Sequence, residues 1–216
     1  GAYKYNVFMD FRTVRETADG RYARLAAELR GGGVPEVEAA IRDIRTKALR
    51  EAFRELVHPA FLRWLAEERI EPGAKIDPLD PAVGDQVIAK AGPVRAALGE
   101  TEGAGPEDAA RFDPEAVRDE IEAILRLPVL AERFPRPGSR KYAKAASFLN
   151  ANFKIEPAAW PVLFGWAAVR RIDKRLVAEA GLRKVIVDAL RETGVAGGEV
   201  ERAATEILAL ANIAGW

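Results

Sequence analysis

From Ala158 to Val169 the chain carries no charge. The segment that contains this run, Pro157 to Lys174, reads P-A-A-W-P-V-L-F-G-W-A-A-V-R-R-I-D-K. A helix that is apolar on every side is one that other elements surround, so the expectation is a buried central helix over 157–174. Pro157 stands where a first-turn proline belongs, and Pro161 still falls near that turn, where a missing N–H costs least. Gly165 has no side chain, which predicts that another backbone passes close to it.

The rest of the chain reads as helices to pack around that one. Asp19 is placed to cap a helix over Arg21 to Arg30, with Tyr22, Leu25, Ala26 and Leu29 on one stripe and Gly31-Gly32-Gly33 ending it. Pro35 opens the next pattern, in which Val37, Ala40, Ile41 and Ile44 face inward and Leu49, Phe53, Leu56 and Val57 continue the stripe. His58-Pro59 breaks it, and Phe61, Leu62, Trp64 and Leu65 mark a short helix that ends near Glu71-Pro72-Gly73. Leu79 to Leu98 reads as a helix bent near Pro93, with a long mobile loop as the rival. Asp113-Pro114 is a start signal, followed by the stripe Val117, Ile121, Ile124 and Leu125 up to Pro128. A short piece over Val129 to Phe134, a turn over Pro135 to Ser139 and a face of Tyr142, Ala145, Ala146 and Leu149 lead to the central helix. Asp173 then caps a further helix that continues through Gly181 to Gly194, and a last one runs from about Gly198 with Val200, Ala203, Ala204, Ile207, Leu208 and Ala211 packed.

Only Tyr3 to Arg12 alternates like a strand, and it has no second strand to pair with, so it reads as a helix or a docked arm. The fold class is therefore all-α, a bundle of about eight to ten helices. It forms one domain over 1–216 or, alternatively, two helical subdomains, 1–98 and 106–216, joined by a flexible 99–105 segment.

Composition narrows the functional classes. With 216 residues, 49% of them hydrophobic, the chain can build a core without disulfides. The absence of cysteine removes thiolate nucleophiles and cysteine metal sites and fits a reducing, cytoplasmic compartment. Lys plus Arg and Asp plus Glu number 33 each, so no global field favours nucleic acid or an anionic membrane. No apolar run approaches the roughly 20 residues of a bilayer span. Gln86 is the only glutamine and Ser139 and Ser147 are the only serines, a bias shared by thermophiles and GC-rich genomes. The start at Gly1-Ala2, with Met9 the only methionine, reads as a piece of a longer protein or a tag-cleaved chain.

Candidate sites are few. Gly31-Gly32-Gly33 lacks the preceding strand and following Lys-Ser or Lys-Thr of a phosphate loop and reads as a helix end. His58, the sole histidine, reads as a cap or packing residue, with no G-x-S-x-G around either serine. No cofactor or metal is expected, because one histidine and scattered carboxylates make no ligand set. Glu67 and Glu68, Asp119 and Glu120, and Glu199 and Glu201 occupy positions that a solvated face would occupy, although a carboxylate pair across a cleft would be invisible in spacing alone. Trp160 and Trp166 lie six apart, about 240° around a helix, and read as core rather than as one sugar platform.

Charge is uneven locally. From Glu100 to Glu122 nine acids face Arg111 and Arg118, a net of minus seven, whereas the 133–154 segment holds six bases and no acid. The two segments can pair with each other. The functional alternative is an anion site at the helix start after Ser139, where free N–H groups meet Arg136, Arg140 and Lys141. Only Tyr142, Phe148 and Phe153 offer stacking there, which disfavours nucleic acid.

Several stretches resemble the helical region that follows the catalytic part of certain large bacterial proteins of the α-amylase-type glycoside hydrolase superfamily. They are Y-N-V-F-M-D-F-R (Tyr5 to Arg12), G-G-G-V-P-E-V-E-A-A-I (Gly31 to Ile41), F-R-E-L-V-H-P-A-F-L-R-W-L (Phe53 to Leu65), V-L-F-G-W-A-A-V-R-R-I (Val162 to Ile172) and the closing helix to Trp216. The superfamily's catalytic motifs, carried on barrel strands, do not occur here, so no catalytic residue is carried over. The resemblance implies a parent protein acting on α-glucans, with this chain a non-catalytic accessory domain whose partners are other domains of that parent or the α-glucan itself. The rival readings are an anion- or nucleic-acid-binding helical domain using the basic 133–154 segment, and a free-standing enzyme with buried carboxylates.

Overall fold

The computed structural model describes residues 15–16, 20–70, 79–101, 103–128, 159–195 and 197–211. Among them every regular element is an α-helix. The chain divides into two compact units, one up to Ile44 and one from Arg45 onward.

In the first unit, α1 (Arg21–Leu29) buries Leu25. Asp19 lies outside the described residues, and the carboxylate at this helix start is that of Glu16, which accepts from the N–H groups of Tyr22 at 3.2 Å and Ala23 at 2.6 Å. The helix ends not on glycine but on Arg30, at φ 46°, with Gly31 following at φ 84°. The next helix, α2 (Val37–Leu56), crosses the unit boundary without a break. Ile41 is buried on it, but Val37 is 43% exposed, against the inward position its spacing suggested.

The second unit is one hydrophobic core. The later turns of α2 contribute Leu49, Phe53 and Leu56, and Val57 follows them. His58 then caps α3 (Pro59–Glu67), its Nδ1 accepting from the Ala60 N–H at 3.2 Å, with proline at the first helical position. Helix α4 (Pro81–Glu100) starts the same way, from Asp80 and Pro81, and its buried residues Val83, Val87, Ala91, Val94 and Leu98 hold a helical stripe through Pro93. The stretch is thus a helix and not a loop, its stripe facing the core and packing on its neighbours.

Short α5 (Pro106–Arg111) and then α6 (Pro114–Leu125) follow. Asp108 reaches back to the Gly105 N–H at 2.8 Å, and Asp113 caps α6. Helices α4 and α6 pack together closely at Gly84, where a methyl group would come within 2.9 Å of Arg118 Cδ.

The uncharged stretch forms α7 (Ala159–Val169), shorter at its C-terminal end than the expected 157–174, because Arg170 to Asp173 turn the chain and Asp173 caps α8 (Lys174–Glu179). Gly181, at φ 65°, separates α8 from α9 (Leu182–Glu192). The continuous helix expected here is thus two, since a left-handed residue cannot continue an α-helix. The last element, α10 (Gly197–Ala211), buries Val200, Ala203, Ala204 and Ile207. Helix α7 is central: it packs against α3, α6, α9 and α10. Among the described residues, what approaches Gly165 is a side chain, with Ile207 Cδ1 3.4 Å from where a Cβ would stand.

Among the described residues no helix is long and apolar enough to cross a membrane.

Candidate functional site

His58, Asp113, Asp173 and Glu120, all singled out in the sequence, are engaged in holding the helices. Asp80, Asp113 and Asp173 accept from backbone N–H groups at 2.9, 3.3 and 2.8 Å at the starts of α4, α6 and α8. His58 does the same for α3, and by accepting at Nδ1 it carries its ring proton on Nε2 when neutral. These are local arrangements, set by residues two positions apart, which is why the sequence announced those of Asp113 and Asp173; the Asp80 cap was not among its readings.

His58 also stands at the edge of a groove of about 260 Å³ between the start of α3 and helix α9. Buried Val57, Pro59, Val185 and Ala189 line it beside Arg54, Asp188, Arg191 and Glu192. Arg191 Nη1 donates to Asp188 at 3.2 Å, and Arg63 Nη1 donates to the Glu192 carbonyl at 3.0 Å, tying α3 to α9. The groove is thus a mixed-charge surface over an apolar floor.

The other polar cluster is at the end of α7. Glu120 of α6, expected on a solvated face, has a side chain only 19% exposed. Its Oε1 sits 2.6 Å from Arg171 Nη2 and 3.2 Å from Arg170 Nη1. Arg170 also lies over the Trp166 ring, 4.4 Å from its centroid, a cation–π arrangement. Glu120 Oε2 and Arg171 Nε are buried with no hydrogen-bond partner, so a single Nη2–Oε1 contact stands where Arg and carboxylate can form a two-point fork. Nothing local in the sequence points to this cluster, whose members lie 51 positions apart.

Along the exposed side of α6, Arg118 meets Glu115 and Asp119, and Arg126 Nη1 meets Glu122 at 3.1 Å. Much of the acidic excess over 100–122 is therefore answered by arginines of the same helix and by Arg170 and Arg171. The residues proposed for anion binding, Arg136, Ser139, Arg140 and Lys141, lie outside the described residues, as does the rest of 133–154. Trp160 is buried against Phe164, with ring centroids 6.0 Å apart, as its core reading requires. Among the described residues no three acids or histidines come together as a metal-binding group.

No protein-family model, curated protein or solved structure matches this chain.

Proposed function

We propose that this chain is a non-catalytic helical accessory domain of a larger α-glucan-acting protein of the glycoside hydrolase kind, packing against other domains of that parent. The observation that supports the non-catalytic part is the use made of particular groups: His58, Asp80, Asp113 and Asp173 cap helices, and Glu115, Asp119, Glu120 and Glu122 pair with arginines. Glycoside hydrolysis needs two carboxyl groups facing one substrate across roughly 5–10 Å, whereas Glu120, the most enclosed of the ion-paired acids, is taken up by Arg170 and Arg171.

The stretches that carry the family resemblance support a scaffold role, because here they supply packing. Phe53, Leu56, Val57, Leu62 and Leu65 of one and Phe164, Ala167, Ala168, Val169 and Ile172 of the other all belong to the same core. The lack of cysteine supports a reducing, cytoplasmic setting, and the depletion of glutamine and serine supports a heat-adapted source.

The test is hydrolysis and unfolding of the purified chain with maltooligosaccharides. The expected outcome is no release of reducing sugar; release that Glu120→Gln abolishes would sink the proposal. A ligand at 100 times its Kd adds about 2.7 kcal/mol, roughly 5–10 °C for a domain of this size. A shift of that order with glucan would make the domain a direct glucan binder. One with inorganic phosphate that fades in salt would transfer the function to the basic 133–154 segment.

A further inference from the structure

Beside α8 the surface opens into a pocket of about 310 Å³, at the small end of ligand sites, which run from roughly 300 to 1,000 Å³. Val169 and Ile172, at the end of α7 and the turn after it, Val177 and Ala178 of α8, and Leu208 and Ala211 of α10 give it an apolar lining. Among the described residues its charged lining consists of two cations, Lys174 and Arg183, and no acid.

The two cations differ. Arg183 is answered by Glu201 at 2.8 Å and by the Thr205 hydroxyl at 3.3 Å. Lys174, among the described residues, has no hydrogen bond or ion pair. Lys174 is exposed at the rim of the hollow, where it can meet the negative end of a molecule whose apolar body fills the lining. A neutral hydrocarbon would fill the lining and leave the ammonium unused. A compact dianion would meet the ammonium but leave the apolar lining unfilled, and the one other cation there, Arg183, is already held by Glu201.

We propose that this pocket binds a small aliphatic monocarboxylate, its chain against Val169, Ile172, Val177 and Leu208 and its carboxylate on Lys174. The cavity volume suits a single short to medium chain.

The experiment is calorimetric titration of the full 216-residue chain with octanoate below its micelle concentration, and with octanol and inorganic phosphate as controls. Saturable one-site binding of octanoate is expected, with octanol weaker and phosphate silent. Ala178 is exposed, so Ala178→Phe fills the hollow without burying new bulk in the core; it should keep the helical signal and the Tm and lower octanoate affinity at least tenfold. Lys174→Met should lower octanoate affinity by up to about fivefold, the scale of an exposed ion pair, and leave octanol unchanged. Octanol binding as well as octanoate, octanoate binding undiminished in Ala178→Phe, or no heat at millimolar octanoate would each overturn the proposal.

Discussion

Helices α6 and α7 are nearly the same length, 12 and 11 residues, and touch each other, yet they are held by different physics. Helix α6 buries one stripe, Val117, Ile121, Ile124 and Leu125, and carries its charges on the other side. Helix α7 buries Trp160, Phe164, Ala167, Ala168 and Val169, and its remaining large residues, Val162, Leu163 and Trp166, pack partly against the same core. The lesson is that the stabilisation of α7 lies in filled volume, whereas that of α6 is divided between a stripe and ion pairs that water and salt can replace. Small residues make the difference workable: with glycine or alanine at 165, 167 and 168, neighbours can approach α7 from several directions at once.

The largest effect expected from this contrast is in the core. Phe164→Ala, at a side chain 1% exposed, should cost about 3–5 kcal/mol in urea unfolding, and Ile121→Ala on the α6 stripe about 2–5 kcal/mol. Asp119→Ala, at a side chain 67% exposed, should stay within about 0.5 kcal/mol of wild type. If Asp119→Ala rivalled Phe164→Ala, the division between volume and charge would be wrong.

Next comes the contact that joins the two helices by charge. Glu120→Gln removes the anion between Arg170 and Arg171 and leaves two enclosed cations facing a neutral amide, at an expected cost of about 1–3 kcal/mol. Because these groups are largely enclosed, the cost should persist in half-molar salt, whereas any effect of Asp119→Ala should vanish there. Equal salt sensitivity at the two sites would show that Glu120 behaves as a surface acid after all.

Gly165 tests the packing of α7 from the other side. A methyl there meets one atom, Ile207 Cδ1, at 3.4 Å, an ordinary contact, and alanine is the better helix former by up to about 1 kcal/mol. Gly165→Ala should therefore raise the Tm slightly; a fall of several degrees would mean that the core has no room for one carbon.

A small effect also belongs to the exposed pair of Lys90 and Glu55. Lys90 lies 3.0 Å from Glu55, and its hydrogen bond first, then its charge, holds the Glu55 carboxyl below its ordinary value. A lowered folded-state value means that the pair stabilises at a pH above the ordinary glutamate range and loses that contribution as pH falls through the folded value. At a side chain 62% exposed this amounts to no more than about 0.2–1 kcal/mol. Lys90→Met should flatten the acid limb of the stability profile by that amount and leave neutral-pH activity of any kind unchanged.

Parts of the fold legible in advance were those with local causes. Asp113-Pro114 and His58-Pro59 mark helix starts because a cap reaches an N–H two residues on and proline fits the first turn. The stripes of α6 and α10 follow from 3.6-residue spacing. Where local rules misled, a backbone angle decided: Gly181 enters the left-handed region and splits α8 from α9. The acids of the candidate site were equally misplaced by local reasoning, since Glu120 has the spacing of a surface residue on α6.

The amino-acid sequence alone determined that the regular elements among the described residues are helices, that α7 is buried, and where the helices capped by Asp113 and Asp173 begin. Those properties depend on residues within a turn of one another and on how much apolar surface each turn must hide. Tertiary structure alone decided that the division of the chain falls within α2, that Glu120 meets Arg170 and Arg171, and that Lys174 borders an apolar hollow made by α7, α8 and α10. Each of these depends on bringing together residues distant along the chain, and that placement is set by the packing of whole helices, which no local spacing encodes.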